Sequence, residues 1–375
     1  MVNGQMVKGK VLLGMSGGID STVSAMLLLE QGYEVVGVTF RTYDSMKESC
    51  IAKEKGCCTI ESIMEAKRNA ERMGFEHHIV DFRDTFKRCV IQNFIDEYMS
   101  GRTPNPCVLC NSHIKWGELM RVADEYGCDY IATGHYARIA ERDGHVYLRM
   151  AADTNKDQTY FLWMLTEEQL HRTIFPLGDL TKDQVREIAR QHGYEQLAVK
   201  RESQEICFVT NNDYRTFLRE NVPAYEEKIV PGNYIDANGR ILGRHQGYAN
   251  YTIGQRKRLG IALGHPAYVT RIDAARNEVV LGTNEDLFST SLTASRIRIR
   301  DLEYVRAHPQ VQVRIRYRST PVDATMEFLE QSLASGETLP TAVSLKFSFP
   351  VWGVTPGQSL VMYQDGLVIG GGIIQ

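Results

Sequence analysis

The 375-residue chain has no run of about 18 consecutive apolar residues, the length a bilayer-spanning helix needs, so no transmembrane helix is expected. Its opening residues, MVNGQMVKGK, lack an apolar core and a small-residue cleavage site. That argues against a secretory signal, and a cytoplasmic enzyme with no membrane partner is expected. Positive charge is not in excess: 43 Lys and Arg stand against 46 Asp and Glu, a net −3. A nucleic-acid partner must therefore be argued from local basic patches. There is no internal repeat and no low-complexity segment. Also missing is a G-x-x-x-x-G-K-[ST] loop, so no loop lysine reaches a γ-phosphate. The eight cysteines include a single C-x-x-C, which leaves a paired zinc site without its second half. Without a secretion signal, stable structural disulfides are not expected, and catalytic or metal-binding cysteines gain weight.

What is present is Ser16-Gly17-Gly18-Ile19-Asp20-Ser21, directly after the apolar run Val11 to Met15 and before a helical stretch, Thr22 to Glu30. Strand, glycine-rich loop and helix together make a phosphate cradle. The glycines let backbone N–H groups converge on an anion, and the helix start adds its positive end. A cradle lacking the Walker lysine suits gripping a pyrophosphate leaving group, hence substrate adenylation. The segment resembles the PP-loop of the ATP pyrophosphatases. Asp20 has two readings: holding Mg²⁺ or water near the pyrophosphate, or capping the following helix.

The first half alternates strands and helices. Strands are read at Val35 to Phe40, His77 to Phe82 and Tyr130 to Thr133, the last ending at Gly134 and His135. Helices are read at Thr59 to Met73, with Thr59 as cap and Gly74 as stop, and at Asp84 to Tyr98, Ile114 to Tyr126 and Thr181 to His192. This pattern implies an α/β, doubly wound parallel sheet with ligands at the strands' C-terminal ends, where Gly14, Phe40 and Gly134 lie. After about residue 210 short β-like runs dominate (248–253, 267–272, 278–281), and from 293 period-2 strands suggest a small β-barrel. Three domains are expected: a PP-loop catalytic domain over 1–210, a β-rich domain over 211–292 and a C-terminal barrel over 293–375.

Arg102-Thr103-Pro104-Asn105-Pro106-Cys107-Val108-Leu109-Cys110-Asn111 is extended and stiff, because two prolines bracket Asn105. It presents the C-x-x-C immediately before a helix, and a helix start favours a thiolate. Cys207, in Ser203-Gln204-Glu205-Ile206-Cys207-Phe208, reads on its own as a core cysteine in a strand. Residue-level reasoning does not pair it with Cys110.

With these segments in view the chain resembles the bacterial tRNA-specific 2-thiouridylases over nearly its whole length. The matching motifs run in order: the phosphate loop Gly14 to Ser21, Arg102 to Asn111, Thr133 to Arg138, Lys156 to Leu162, Ser203 to Phe208, Tyr251 to Gly260, and Pro356 to Gln358. The resemblance implies ATP, with Mg²⁺, bound at Gly14, Met15, Ser16, Gly17, Gly18, Ile19, Asp20, Ser21, Phe40 and Gly134. It implies adenylation of the C2 oxygen of the wobble uridine. A persulfide on Cys207, loaded by a sulfur-donor protein, then supplies sulfur, and Cys110 completes transfer, leaving a Cys110–Cys207 disulfide to be reduced. It further implies contacts to the target base or tRNA at Asn105, Pro106, Cys107, His135, Lys156, Asp157, Gln158, Arg316, Tyr317 and Gln358. Many members carry Asp where this chain has Cys107. That leaves a second route open, a [4Fe-4S] cluster held by Cys107, Cys110 and Cys207. Cys50, Cys57, Cys58, Cys89 and Cys128 are read as structural.

Two strands read as arginine-faced: Arg296, Arg298 and Arg300 opposite Ile297 and Ile299, and Arg314, Arg316 and Arg318 opposite Val313, Ile315 and Tyr317. They make a phosphate-binding surface plausible. Gln255 to Arg258 is a second basic cluster. Relatives usually have Gly at the position of Arg258, which raises the question of a positive φ there. Two rivals remain: a PP-loop ligase delivering nitrogen, which leaves Cys110 and Cys207 unexplained, and a non-catalytic RNA- or nucleotide-binding module, which release of AMP and pyrophosphate would discard.

Overall fold

The computed structural model describes residues 8–43, 60–200, 206–209, 212–332 and 338–375. Cys50, Cys57, Cys58, Thr59 and Ser203 to Glu205 lie outside them. The chain divides into two units. One holds residues up to Ile91, Pro106–Asn212 and Gly366–Val368; the other holds Gln92–Asn105, Asp213–Asp365 and Ile369–Gln375. Among the described residues no helix is long and apolar enough to cross a membrane.

The first unit is built on strands β1 (Lys10–Gly14), β2 (Glu34–Arg41), β3 (His77–Asp81), β4 (Tyr130–Thr133), a hairpin of β5 (Arg138–Arg142) and β6 (His145–Arg149), and β7 (Thr173–Ile174). Five of them form a parallel sheet in the order β3-β2-β1-β4-β7. Leu12 of β1 lies in register with Val36 on one side and Ile131 on the other. Val11, Leu12 and Leu13 are fully buried, as a strand covered on both faces requires. Strand order reverses between β1 and β4, which opens a crevice at their C-terminal ends, the usual ligand position of such sheets. Helix α1 (Ile19–Glu30) leaves β1 through the glycine-rich loop. Helix α2 (Ile60–Met73) packs Ala66 and Ala70 into the core cluster of Val11, Leu13 and Leu28.

The expected helix over 84–98 is present as Arg83–Phe86, a π-helical turn Lys87–Ile91 and Gln92–Met99. The helix expected from Ile114 starts eight residues earlier, at Pro106, and runs on through a π-helical stretch Cys110–Glu118 into Leu119–Glu125. Proline at the first helical position loses no hydrogen bond and sets φ for the turn. The C-x-x-C therefore lies inside the helix and not before it. The helix Lys182–Gln191 has Thr181 as N-cap, with a complete capping box to Gln184. Cys207 is exposed in a turn, not a core strand residue. Its neighbour Phe208 is buried against Phe86 and Tyr43, ring centroids 5.6 and 6.2 Å away.

The second unit contains a four-stranded sheet of β8 (Gly232–Ile235), β9 (Ile241–His245), β10 (Tyr268–Asp273) and β11 (Glu278–Gly282), ordered β10-β11-β8-β9. Its core is Tyr234, Tyr251, Val269, Val279 and Leu281. The strand expected at 248–253 is instead a 3₁₀ turn, Tyr248–Asn250. The remaining strands are β12 (Phe288–Ile299), β13 (Gln310–Arg314), β14 (Val322–Ser332), β15 (Thr338–Trp352), β16 (Ser359–Gln364) and β17 (Leu367–Ile374). They follow the order β12-β15-β14-β13-β16-β17, and β17 pairs back onto β12 through Ala294↔Ile374, which closes the barrel. Closure removes exposed strand edges.

Neither arginine strand keeps its expected alternation. Arg296 has φ +50°, and the β12 register shifts between Ser295 and Arg298, so a bulge re-aims the side chains. Strand β13 ends at Arg314, and Val313, Arg314 and Ile315 are all buried in succession. The Arg314 guanidinium lies 5.5 Å from the Tyr363 ring centre. Burial of its aliphatic stem and stacking of its head explain why a charged residue enters the barrel wall.

Candidate active site

The phosphate loop is held open by its own side chains. The Ser16 N–H donates to Ser21 Oγ (3.2 Å), and the Ser21 hydroxyl donates to the Gly18 carbonyl (3.1 Å). Thr39 of β2 donates to the Met15 carbonyl at 2.8 Å and meets His77 Nε2 at 2.8 Å. Burial, with His78 and Lys67 nearby, lowers the His77 pKa to about 4, so the ring is neutral at pH 7. Gly17 has φ +72°, and a Cβ there would lie 2.3 Å from the Ser62 carbonyl oxygen. Both the conformation and the close approach demand glycine. Gly134, at the end of β4, fits against the same loop: a Cβ would stand 2.8 Å from the Asp20 carbonyl carbon and 2.9 Å from the Ser21 nitrogen. Phe40, at the end of β2, packs edge-on against Phe82 at 5.1 Å. The expected residues Gly14 to Ser21, Phe40 and Gly134 thus gather at the C-terminal ends of the neighbouring strands β1, β2 and β4.

Asp20 corrects both of its expected roles. The N-cap of α1 is Gly18, without a side-chain cap, and Asp20 lies in the first turn. Its carboxylate accepts from Lys182 Nζ at 2.7 and 2.9 Å and from the Tyr136 hydroxyl at 2.8 Å. Lys182 is a buried cation at the first position of its helix, where the dipole disfavours positive charge. That anomaly was the signal in the sequence; the lysine was missed because its partner lies 162 positions away. Its Nζ supplies, from a distant helix, a positive charge beside the phosphate loop.

His135 is buried and accepts at Nε2 from Lys115 Nζ (3.4 Å), which leaves Nδ1–H to donate to Thr133 Oγ1 (2.8 Å). Burial, then the Lys115 charge, holds its pKa well below the usual histidine value. Lys115 and Trp116, 5.5 Å from the His135 ring, belong to the stretch that begins at Cys110. The cysteine-bearing helix is therefore docked at the end of β4. Cys107 is exposed and Cys110 half-buried. Asn111 is buried, and its amide nitrogen donates to the Phe161 carbonyl (3.1 Å).

Asp157 and Gln158 face inward. The Asp157 carboxylate accepts from the Ala151 N–H (3.0 Å) and the Thr159 hydroxyl (2.8 Å). Gln158 Oε1 accepts from the Tyr136 N–H (2.9 Å), and the Gln158 N–H donates to the Tyr136 carbonyl (2.8 Å). They brace Tyr136, and through its hydroxyl Asp20. Lys156, half-buried, remains at the turn's surface.

In the second unit Arg316 donates to the Gly353 carbonyl (2.8 Å) and Thr355 Oγ1 (2.9 Å) and stacks on Trp352 at 4.9 Å. It organises its own turn; Tyr317 is half-buried beside it. Gln358 donates to the carbonyls of Thr103 (3.1 Å) and Pro104 (2.8 Å), which fixes the stiff segment leading to half-buried Asn105 and buried Pro106.

Among the described residues no three His, Cys, Asp or Glu side chains are grouped to hold a metal ion. Cys107, Cys110 and Cys207 do not form the ligand set an iron–sulfur cluster needs, and Asp20 is engaged by Lys182.

Three family models match in succession: a tRNA methyl transferase HUP domain over 9–211, a tRNA methyl transferase PRC-barrel domain over 215–283 and an aminomethyltransferase beta-barrel domain over 294–374. Full-length relatives are named for thiolation. The tRNA-specific 2-thiouridylase MnmA of Clostridium perfringens is 44% identical over 370 residues, 99% of each chain. That of Amoebophilus asiaticus is 46% identical over 99% of this chain and 96% of its own. That of Carboxydothermus hydrogenoformans is 46% identical over 98% and 97%. Among solved structures, a 4-thiouridine synthetase–RNA complex with bound ATP shares 20% identity over 59% of this chain and 53% of its own, with a TM-score of 0.36, too loose a superposition to argue from.

Proposed function

The chain belongs to the tRNA-specific 2-thiouridylase family, and from that premise we propose that it adenylates the C2 oxygen of the wobble uridine of tRNA and replaces that oxygen with sulfur. The observation that carries the reading is the phosphate loop Ser16 to Ser21 at the β1/β4 crevice, with the Cys110 helix docked at the end of β4 through Lys115 and His135.

The uridine oxygen attacks the α-phosphorus of ATP and pyrophosphate leaves, so a poor leaving group becomes AMP. Backbone N–H groups of the loop and the start of α1 receive the pyrophosphate charge. Lys182 adds positive charge next to the loop through Asp20. Sulfur enters as a persulfide on Cys207, loaded by a sulfur-donor protein. Cys110 thiolate attacks the Cys207 sulfur, and the terminal sulfur leaves as hydrosulfide, which displaces AMP at C2. The product is 2-thiouridine, and the Cys110–Cys207 disulfide is returned to thiols by an external dithiol. No step runs through a cluster or through a protein-held Mg²⁺: Mg²⁺ enters with the ATP phosphates, its usual carrier.

For RNA contact, the inward bonds of Asp157 and Gln158 support a bracing role, and the surface position of Lys156 supports phosphate contact. The matching family models support a division into 1–210, 211–292 and 293–375. Purified protein with ATP, unmodified tRNA and a persulfide donor should release AMP and form 2-thiouridine in equal amounts, read by mass spectrometry of digested tRNA. AMP release with a nitrogen-containing product, or none, would refute the reading.

A further inference from the structure

The loop between Gly254 and Ala267 in the second unit forms a cavity of about 650 Å³, within the range of small-ligand sites. Its walls include Ile261, Leu263 and Pro266, and its rim carries Arg256, Arg258 and His265. The loop is pinned at several points. Gln255 Oε1 accepts from the Thr252 N–H (3.2 Å), and its amide nitrogen donates to the Lys257 carbonyl (3.0 Å). The wholly buried Tyr234 donates from its hydroxyl to the Leu259 carbonyl at 2.6 Å. Ile261 and Leu263 pack on the sheet's core cluster, so the cavity wall is anchored.

Arg258 sits at φ +60°, a left-handed conformation that strains an L side chain and leaves glycine unstrained. The residue is exposed. An exposed arginine in a strained backbone position at the mouth of a cavity is an outlier of the kind that accompanies a site.

Resting on the tRNA reading above, we propose that this cavity is an RNA subsite for one nucleotide: Arg256 and Arg258 bind its phosphodiester, and the apolar wall takes the face of its base. Two guanidinium groups supply the charge a phosphodiester needs, and a sequence-tolerant apolar wall suits stacking on any base.

The test measures affinity for an unmodified tRNA transcript against salt for wild type, R258G and R256Q/R258G, with melting temperature in parallel. The double variant should lower the slope of log K against log salt by about 2, roughly one per lost phosphate contact. R258G should lower it by about 1 while its melting temperature stays equal or rises. Unchanged slopes in variants of a tRNA-binding wild type would overturn the subsite alone. A fall in the melting temperature of R258G would make Arg258 structural and overturn it too. Competition by millimolar AMP for the wild type, lost in the double variant, would reassign the cavity to a free nucleotide. A wild type that binds no tRNA would overturn the underlying functional reading.

Discussion

The pair Asp20–Lys182 makes an asymmetric prediction. Lys182 has 6% of its side chain exposed and Asp20 30%. Removing one partner of a buried ion pair costs about 3–5 kcal/mol, because the other is left desolvated and unpaired. D20A strands the deeply buried lysine and also the Tyr136 hydroxyl bonded to Asp20 at 2.8 Å, so it should cost about 3–4 kcal/mol. K182M leaves the more exposed carboxylate, which water reaches, still bonded to Tyr136. It also removes a cation from a helix N-terminus, a gain of about 0.3–1 kcal/mol. Its net cost should be about 1–2 kcal/mol. The double variant D20A/K182M should cost less than the sum, with a coupling of about 2 kcal/mol. Urea unfolding of nucleotide-free protein measures all three. Equal costs for the single variants, or additivity within about 0.5 kcal/mol, would refute the pair as a buried, coupled unit. AMP formation should fall in K182M even where the protein is fully folded, because the loop loses its fixed counter-ion.

G134A should leave the fold largely intact but lower the rate of AMP formation roughly 100-fold, since its Cβ would push the phosphate-loop backbone out of place; single-turnover AMP release checks this. His135 has a folded pKa below its unfolded 6.5, so the unfolded state binds the extra proton as pH falls. Stability should therefore decline on acidification from about 6.5 towards the folded value, and the decline should be shallower in H135N; urea midpoints across pH 4–8 read it, and parallel curves would refute it.

The parallel sheet and the phosphate loop were legible because both are local: an apolar run, two glycines and a helix start sit within twenty residues. Gly134 was also legible, at a strand end. The partner of Asp20 was not, because a carboxylate in a helix's first turn looks like a cap until the fold brings Lys182 to it. The arginine faces failed for a related reason. Period-2 reading assumes an unbroken strand, and a bulge at Arg296 and a strand end at Arg314 break it. Asp157 and Gln158 looked like surface residues because turns are polar; their inward hydrogen bonds depend on Ala151 and Tyr136. The positive φ questioned at Arg258 is present, since turn geometry is set by the loop's anchors more than by the residue that occupies it.

The most direct test follows sulfur. Protein carrying a ³⁵S-labelled persulfide is mixed with ATP and unmodified tRNA for one turnover without reductant, and the protein is then peptide-mapped under non-reducing conditions. The account predicts that label moves to the wobble uridine and that the disulfide formed joins Cys110 to Cys207, with neither event in C207S. Label transfer in C207S, or a disulfide that joins Cys107 instead of Cys110 to Cys207, would contradict it.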